Sequence, residues 1–117
     1  MPSPIVYWEI CVRDMDAGTE FYRKVMGWEI SRDPDIPNYC DANTGAEPGG
    51  GIFPAEGEMK PYVTIYAKVD DIDAILDKAA KHGAFIIQRK KLICEKHGYY
   101  GMFADPDGNV IGLWSKT

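Results

Sequence analysis

Apolar, β-favouring residues run from Ile5 to Val12, and then the period changes. Asp14 and Asp16 offer helix caps, and Met15, Gly18, Phe21, Tyr22, Val25 and Met26 recur at helical spacing. Gly27 follows the last apolar turn, where a left-handed residue ends a helix, and Trp28-Glu29-Ile30 opens an alternating stretch. Asp33-Pro34-Asp35-Ile36-Pro37 then breaks the sheet, and a glycine-rich run from Thr44 leads into Gly51-Ile52-Phe53. The pattern predicts strand, helix and three further strands.

The same pattern is written a second time. Val12, Asp14, Asp16 and Ala17 recur in the same order and spacing as Val69, Asp71, Asp73 and Ala74, with Ile72 in the place of Met15. Ile72, Ile75, Leu76 and Ala79 obey the i, i+3, i+4, i+7 rule, Gly83 closes the helix after His82, and Phe85-Ile86-Ile87 opens the next strand. Asp105-Pro106-Asp107-Gly108 is turn chemistry ahead of a closing strand with Gly112-Leu113-Trp114, the counterpart of Gly51-Ile52-Phe53. The segment from Pro54 to Pro61 has no apolar period and reads as the join, so the chain is expected to hold one domain over 1–117, with unit one at 1–56 and unit two at 57–117.

Composition narrows the class. A chain of 117 residues with 45% hydrophobic and 26% charged positions has the balance of one folded domain with one core. Its net charge of −5 repels a phosphate backbone, and the basic cluster Arg89-Lys90-Lys91 is short, so no nucleic-acid partner is expected. The apolar runs are too short for a membrane span, and the start Met1-Pro2-Ser3-Pro4 lacks the basic and apolar regions of a leader. Cys11, Cys40 and Cys94 are odd in number and widely spaced. Reduced thiols and a cytoplasmic location are expected.

Several segments together resemble the vicinal oxygen chelate superfamily of glyoxalase I, extradiol dioxygenases and bleomycin-resistance proteins. They are Val12-Arg13-Asp14-Met15-Asp16 leading to Phe21-Tyr22 and Gly27-Trp28, the Gly49-Gly50-Gly51-Ile52 strand, Val69-Asp70-Asp71-Ile72-Asp73, and Phe103-Ala104-Asp105-Pro106-Asp107-Gly108-Asn109. The chain looks like the short, glyoxalase-related bacterial members. The resemblance implies an α+β fold of two βαβββ units forming a half-open, eight-stranded mixed-sheet cup with the helices outside, in a homodimer.

Strand alternation then divides the side chains between two faces. Trp8, Ile10, Val12, Ile65, Ala67, Val69, Ile52 and Leu113 would face the helices. Tyr7, Glu9, Cys11, Gly51, Phe53, Thr64, Tyr66, Lys68, Gly112 and Trp114 would face the cup. One of Tyr99 and Tyr100 joins them by alternation, and Tyr100 is taken as that residue. Such a lining of aromatic rings with a few polar groups suits a small-molecule ligand, flat or cationic.

Metal-dependent members of the family hold one divalent ion with His, Gln or Glu at four positions that fall here on Tyr7, on or next to Gly51, on Thr64 and on Gly112. Glycine supplies no donor and neither Tyr nor Thr is a good one, so no metal and no other cofactor is expected. His82 reads as a helix end and His97 as a loop residue. Glu9 is the acidic side chain pointing into the cup. In an aromatic cleft its carboxyl would be raised by desolvation and suit general-base catalysis; as a structural group it would pair with Lys68 or Arg13. The sequence thus leaves three readings: a metal-independent binder of a small organic ligand, a glyoxalase-like lyase, isomerase or dioxygenase-related enzyme acting on a small carbonyl compound, and a non-catalytic partner subunit.

Overall fold

The computed structural model describes residues 2–117. Ten elements follow in the order β1 (Ile5–Val12), α1 (Met15–Met26), β2 (Glu29–Arg32), β3 (Cys40–Asn43), β4 (Gly49–Pro54), β5 (Val63–Lys68), α2 (Ile72–Lys81), β6 (Phe85–Cys94), β7 (Gly98–Ala104) and β8 (Val110–Ser115). This is α+β, with βαβββ occurring twice. Among the described residues no helix is long and apolar enough to cross a membrane.

Contacts divide the chain into two compact units. The N-terminal unit is Tyr7–Val63; the C-terminal unit is Thr64–Thr117 together with the beginning of β1 up to Val6. Each carries a mixed four-stranded sheet, in the order β2-β3-β4-β1 in the N-terminal unit and β5-β8-β7-β6 in the C-terminal unit. The β1/β4 and β5/β8 pairs are parallel and the rest antiparallel. Tyr7, Glu9 and Cys11 are level with Gly49, Gly51 and Phe53, and Tyr66 and Lys68 are level with Gly112 and Trp114.

Both helices begin by the same device. Asp14 and Asp71 are extended N-cap residues whose carboxylates accept from the backbone N–H of Ala17 and Ala74, each at 3.0 Å. α1 ends at Gly27, left-handed at φ 68°, whose N–H donates to the Arg23 carbonyl. α2 is capped by His82, and Gly83 follows at φ 97°.

Each helix covers one face of its own sheet. In the N-terminal unit Ile30, Ala42 and Ile52 form the buried centre, with Trp8, Ile10, Val12, Met15, Tyr22 and Trp28 around them. Trp28 lies 5.0 Å from Trp8 and stacks on Tyr22 at 5.3 Å. In the C-terminal unit Val69, Ile72, Leu76 and Leu113 form the centre, ringed by Ala67, Ile75, Ile86, Tyr99 and Phe103. Ile52, Ile72 and Leu76 are wholly inaccessible, and burial of a side chain of that size contributes about 1.5–3 kcal/mol. Of the side chains expected on the helix side, Trp8, Ile10, Val12, Ile52, Ala67, Val69 and Leu113 pack into these two clusters, while Ile65 is half-buried outside them.

Candidate functional site

In the N-terminal unit the helix-free face is organised by a residue the strand pattern did not single out, Tyr39. β2 stops at Arg32, and the chain turns through a loop held by Asp33, whose carboxylate accepts from the N–H groups of Asp35 and Ile36 at 2.7 and 3.1 Å. Asn38 takes a left-handed φ of 54°, and the Asp33 N–H donates to the Tyr39 carbonyl at 2.9 Å. Tyr39 is thereby laid over β4, directly on Gly51: a Cβ there would coincide with the Tyr39 hydroxyl. Gly50, one residue earlier, is covered on the opposite face by the Trp8 ring in the same way. Gly50 and Gly51 of β4 thus stand where rings from opposite faces leave no room for a side chain.

The Tyr39 hydroxyl is 2.9 Å from the Tyr7 hydroxyl and 2.7 Å from Oε2 of Glu9. One phenol carries one proton. That proton faces two acceptors, the Tyr7 hydroxyl and the Glu9 carboxylate, and the Tyr39 hydroxyl bridges them. Both phenols are held protonated. Burial raises the Tyr39 phenol far above its usual range, with Glu9 and then Tyr7 adding to the shift. Tyr7 is also raised, chiefly by burial and then by the negative charges of Asp41, Glu9 and Asp33, against a lowering contribution from its bond to Tyr39. Phe53 stacks on Tyr39 at 6.5 Å and meets Tyr62 edge-on at 5.8 Å. Cys11 lies among these residues, buried, with its thiol pushed up mainly by burial, which makes it an inert packing group.

In the C-terminal unit the helix-free face reads across the strands in rows, because side chains at opposed positions of neighbouring strands share a face. One row is Tyr66, Gly112 and Met102; the next is Lys68, Trp114 and Tyr100. The Tyr66 ring lies on Gly112 and would be displaced by any Cβ there. Trp114 is held in orientation by its indole N–H, which donates to the His97 carbonyl at 2.6 Å, and the Lys68 ammonium sits 5.9 Å from its ring centre. Tyr99 packs toward α2 and Tyr100 lies level with Trp114, which settles the choice that alternation left open. The Thr64 hydroxyl is buried and donates to the Val110 carbonyl at 2.6 Å.

The eight residues expected to line the site fall on these two faces. Tyr7 and Glu9 are joined through Tyr39, Phe53 stacks on that group, and Tyr66, Lys68, Tyr100 and Trp114 share the C-terminal face. Thr64 commits its proton to the backbone. For Glu9, the hydrogen bond from the Tyr39 phenol is a strong contact of a kind the sequence did not suggest.

The four positions at which the family resemblance puts metal ligands do not fit a divalent ion. At Gly51 the space of a side-chain donor is filled by the Tyr39 hydroxyl, and at Gly112 by the Tyr66 ring. The Tyr7 phenol is held protonated, and the Thr64 hydroxyl is turned to the backbone. Imidazole or carboxylate donors are missing from all four.

Comparisons with known proteins agree with this architecture. The family model described as Glyoxalase/Bleomycin resistance protein/Dioxygenase superfamily matches residues 5–113. The chain is 30% identical over 109 residues to CFP32 of Mycobacterium bovis and of Mycobacterium tuberculosis, a candidate glyoxylase, covering 86% of this chain and 41% of that protein. It thus spans about two fifths of the length of the curated relatives it matches. Among solved structures it is similar to a Mn(II)-bound glyoxalase from Novosphingobium aromaticivorans, with TM-score 0.67 and 23% identity over 98% of this chain and 40% of the other. It is also similar to methylmalonyl-CoA epimerase from Mycobacterium tuberculosis, with TM-score 0.63 and 15% identity over 97% of this chain and 87% of the other. At these identities the structural likeness speaks for the fold alone. With its repeated βαβββ unit and a family match over nearly all of its length, the chain belongs to the glyoxalase, bleomycin resistance protein and dioxygenase superfamily.

Proposed function

We propose that this chain binds a small organic ligand against its aromatic, helix-free sheet faces, and does so without the divalent ion that metal-dependent members of the superfamily hold. The observation that carries this reading is the pair of rings, Tyr39 and Tyr66, standing where Gly51 and Gly112 would have to present donors. Half-buried aromatic rings with a few fixed polar groups are what a small-molecule site requires. Metal content measured by plasma mass spectrometry, on protein purified without chelators, should be well below one ion per chain. Ligands found by tryptophan quenching should bind at least about fivefold more weakly to Trp114→Ala, since loss of a stacking ring in a binding face costs about 1–3 kcal/mol. One tightly held ion per chain, or a Trp114→Ala protein that binds every such ligand unchanged, overturns the reading.

The hydrogen-bonded chain Tyr7–Tyr39–Glu9 favours a second reading, a metal-free lyase or isomerase acting on a small carbonyl compound. Glu9 would take the proton from the carbon next to the carbonyl while Tyr39 holds the carboxylate in place. The test is exchange of that proton for deuterium across a panel of small carbonyl compounds, followed by nuclear magnetic resonance. Glu9→Gln should lower any exchange by about 100-fold or more. Exchange that persists in Glu9→Gln ends this reading and leaves the first intact.

A further inference from the structure

We propose that the helix-free face of the C-terminal unit selects an aromatic or conjugated organic anion, a flat ring carrying a carboxylate or a similar group. This rests on the ligand-binding reading above and sharpens it.

The argument begins with where the charges lie. The chain as a whole is acidic, at −5, yet β5, β6, β7 and β8 contain no Asp or Glu at all. The acidic residues of this unit lie in α2, at its cap and in the turns, whereas its strands carry Lys68, Arg89, Lys90 and Lys91. Two of these four cations are engaged on the helix side. Arg89 reaches back to α2, bonding Asp77 at 2.8 Å with Asp73 at 3.7 Å, and Lys90 stands 4.6 Å from the ring of Tyr99, which packs against the α2 core. Irregularities in β6 between Gln88 and Lys91 let Arg89 and Lys90 both turn that way.

Lys68 and Lys91 are the other two, and the register places them in one row. Lys68 is level with Trp114, Trp114 with Tyr100, and Tyr100 with Lys91. The row runs ammonium, indole, phenol, ammonium across four strands, with both rings half-buried and both lysines exposed. Trp114 cannot rotate freely, because its N–H is bonded to the His97 carbonyl. A flat ring can therefore stack on a pre-oriented indole, which limits the ordering cost of binding. The anionic group of such a ligand meets a lysine at either end of the row, and none of the four strands bears a carboxylate to repel it. Aromatic rings alone would equally suit a cation; the two lysines reverse that preference on this face.

The test uses three probes of one shape, namely 2-naphthoate, 2-naphthylmethanol and 2-naphthylmethylammonium. Each is titrated calorimetrically into the whole chain at low salt, with the Trp114 indole N–H resonance reporting where it binds. The naphthoate should bind roughly three- to tenfold more tightly than the alcohol, and the ammonium more weakly than both. That advantage should shrink in high salt. Lys68→Gln and Lys91→Gln should each bring the ratio of naphthoate to alcohol affinity toward one. If the alcohol or the ammonium binds as tightly as the naphthoate, or if both lysine variants leave its affinity unchanged, the anion preference is wrong while the ligand-binding reading stands. If none of the three binds and the Trp114 resonance does not move, both fail together.

Discussion

A single hydroxyl, that of Tyr39, holds the polar part of the N-terminal face together. It satisfies Glu9 and Tyr7 at once, in a setting where Tyr39 is buried and the other two are half-buried. Removing it takes one hydrogen bond from a carboxylate and one from a phenol, while the ring still fills the space over Gly51. Tyr39→Phe should therefore lower the stability of the chain by about 1–3 kcal/mol, measured as a shift in the urea midpoint at unchanged slope. A variant as stable as the parent would mean that the three groups are adequately solvated without one another. Tyr39 was hidden in the sequence because it follows Pro37-Asn38 in a segment read only as a break in the sheet. Two signals could have found it. Asn tolerates a left-handed backbone and so can turn a chain back on itself, and a run of glycines in a strand marks a place where something lies close against it.

At the level of elements the sequence was largely transparent, and for a physical reason. Caps, apolar period and left-handed terminators act within a few residues of one another, so Asp14, Asp71 and Gly27 announce the ends of α1 and α2 in the linear chain. Alternation along β1, β4, β5 and β8 likewise assigns faces without knowledge of any partner strand, and Trp8, Ile52, Ala67 and Leu113 pack accordingly. What alternation cannot supply is register. The Lys68–Trp114–Tyr100–Lys91 row depends on three separate pairings and on the irregularities of β6, and none of these is encoded within one strand. The same limit applied to Glu9, whose strand predicted its face but whose partner comes from a loop some thirty residues away. The site was thus legible as a list of side chains on a face and illegible as a network. The network is made of contacts between segments distant in sequence.

For the molecule as a whole, these local arrangements are linked to pH. Tyr7 and Tyr39 both have phenols raised above the ordinary value of 10.0, each chiefly by burial. A folded chain that keeps its phenolic protons while the unfolded chain gives them up loses stability on the alkaline side. The contribution is fully present below about pH 10, where both states are protonated. Above it the unfolded state begins to ionise, and each proton retained only by the folded state steepens the loss by up to about 1.4 kcal/mol per pH unit. The loss continues as the pH rises toward the folded values, which burial holds higher. An ultraviolet titration of the seven tyrosines should accordingly fall into two phases, an early one from the accessible phenols and a late one that coincides with loss of structure by circular dichroism. Tyr39→Phe should remove one phenol from the late phase and leave the early one as it was. Seven phenols ionising together near pH 10, with the fold still intact, would show that water reaches the Tyr7–Tyr39–Glu9 chain and that its protons are not held by burial.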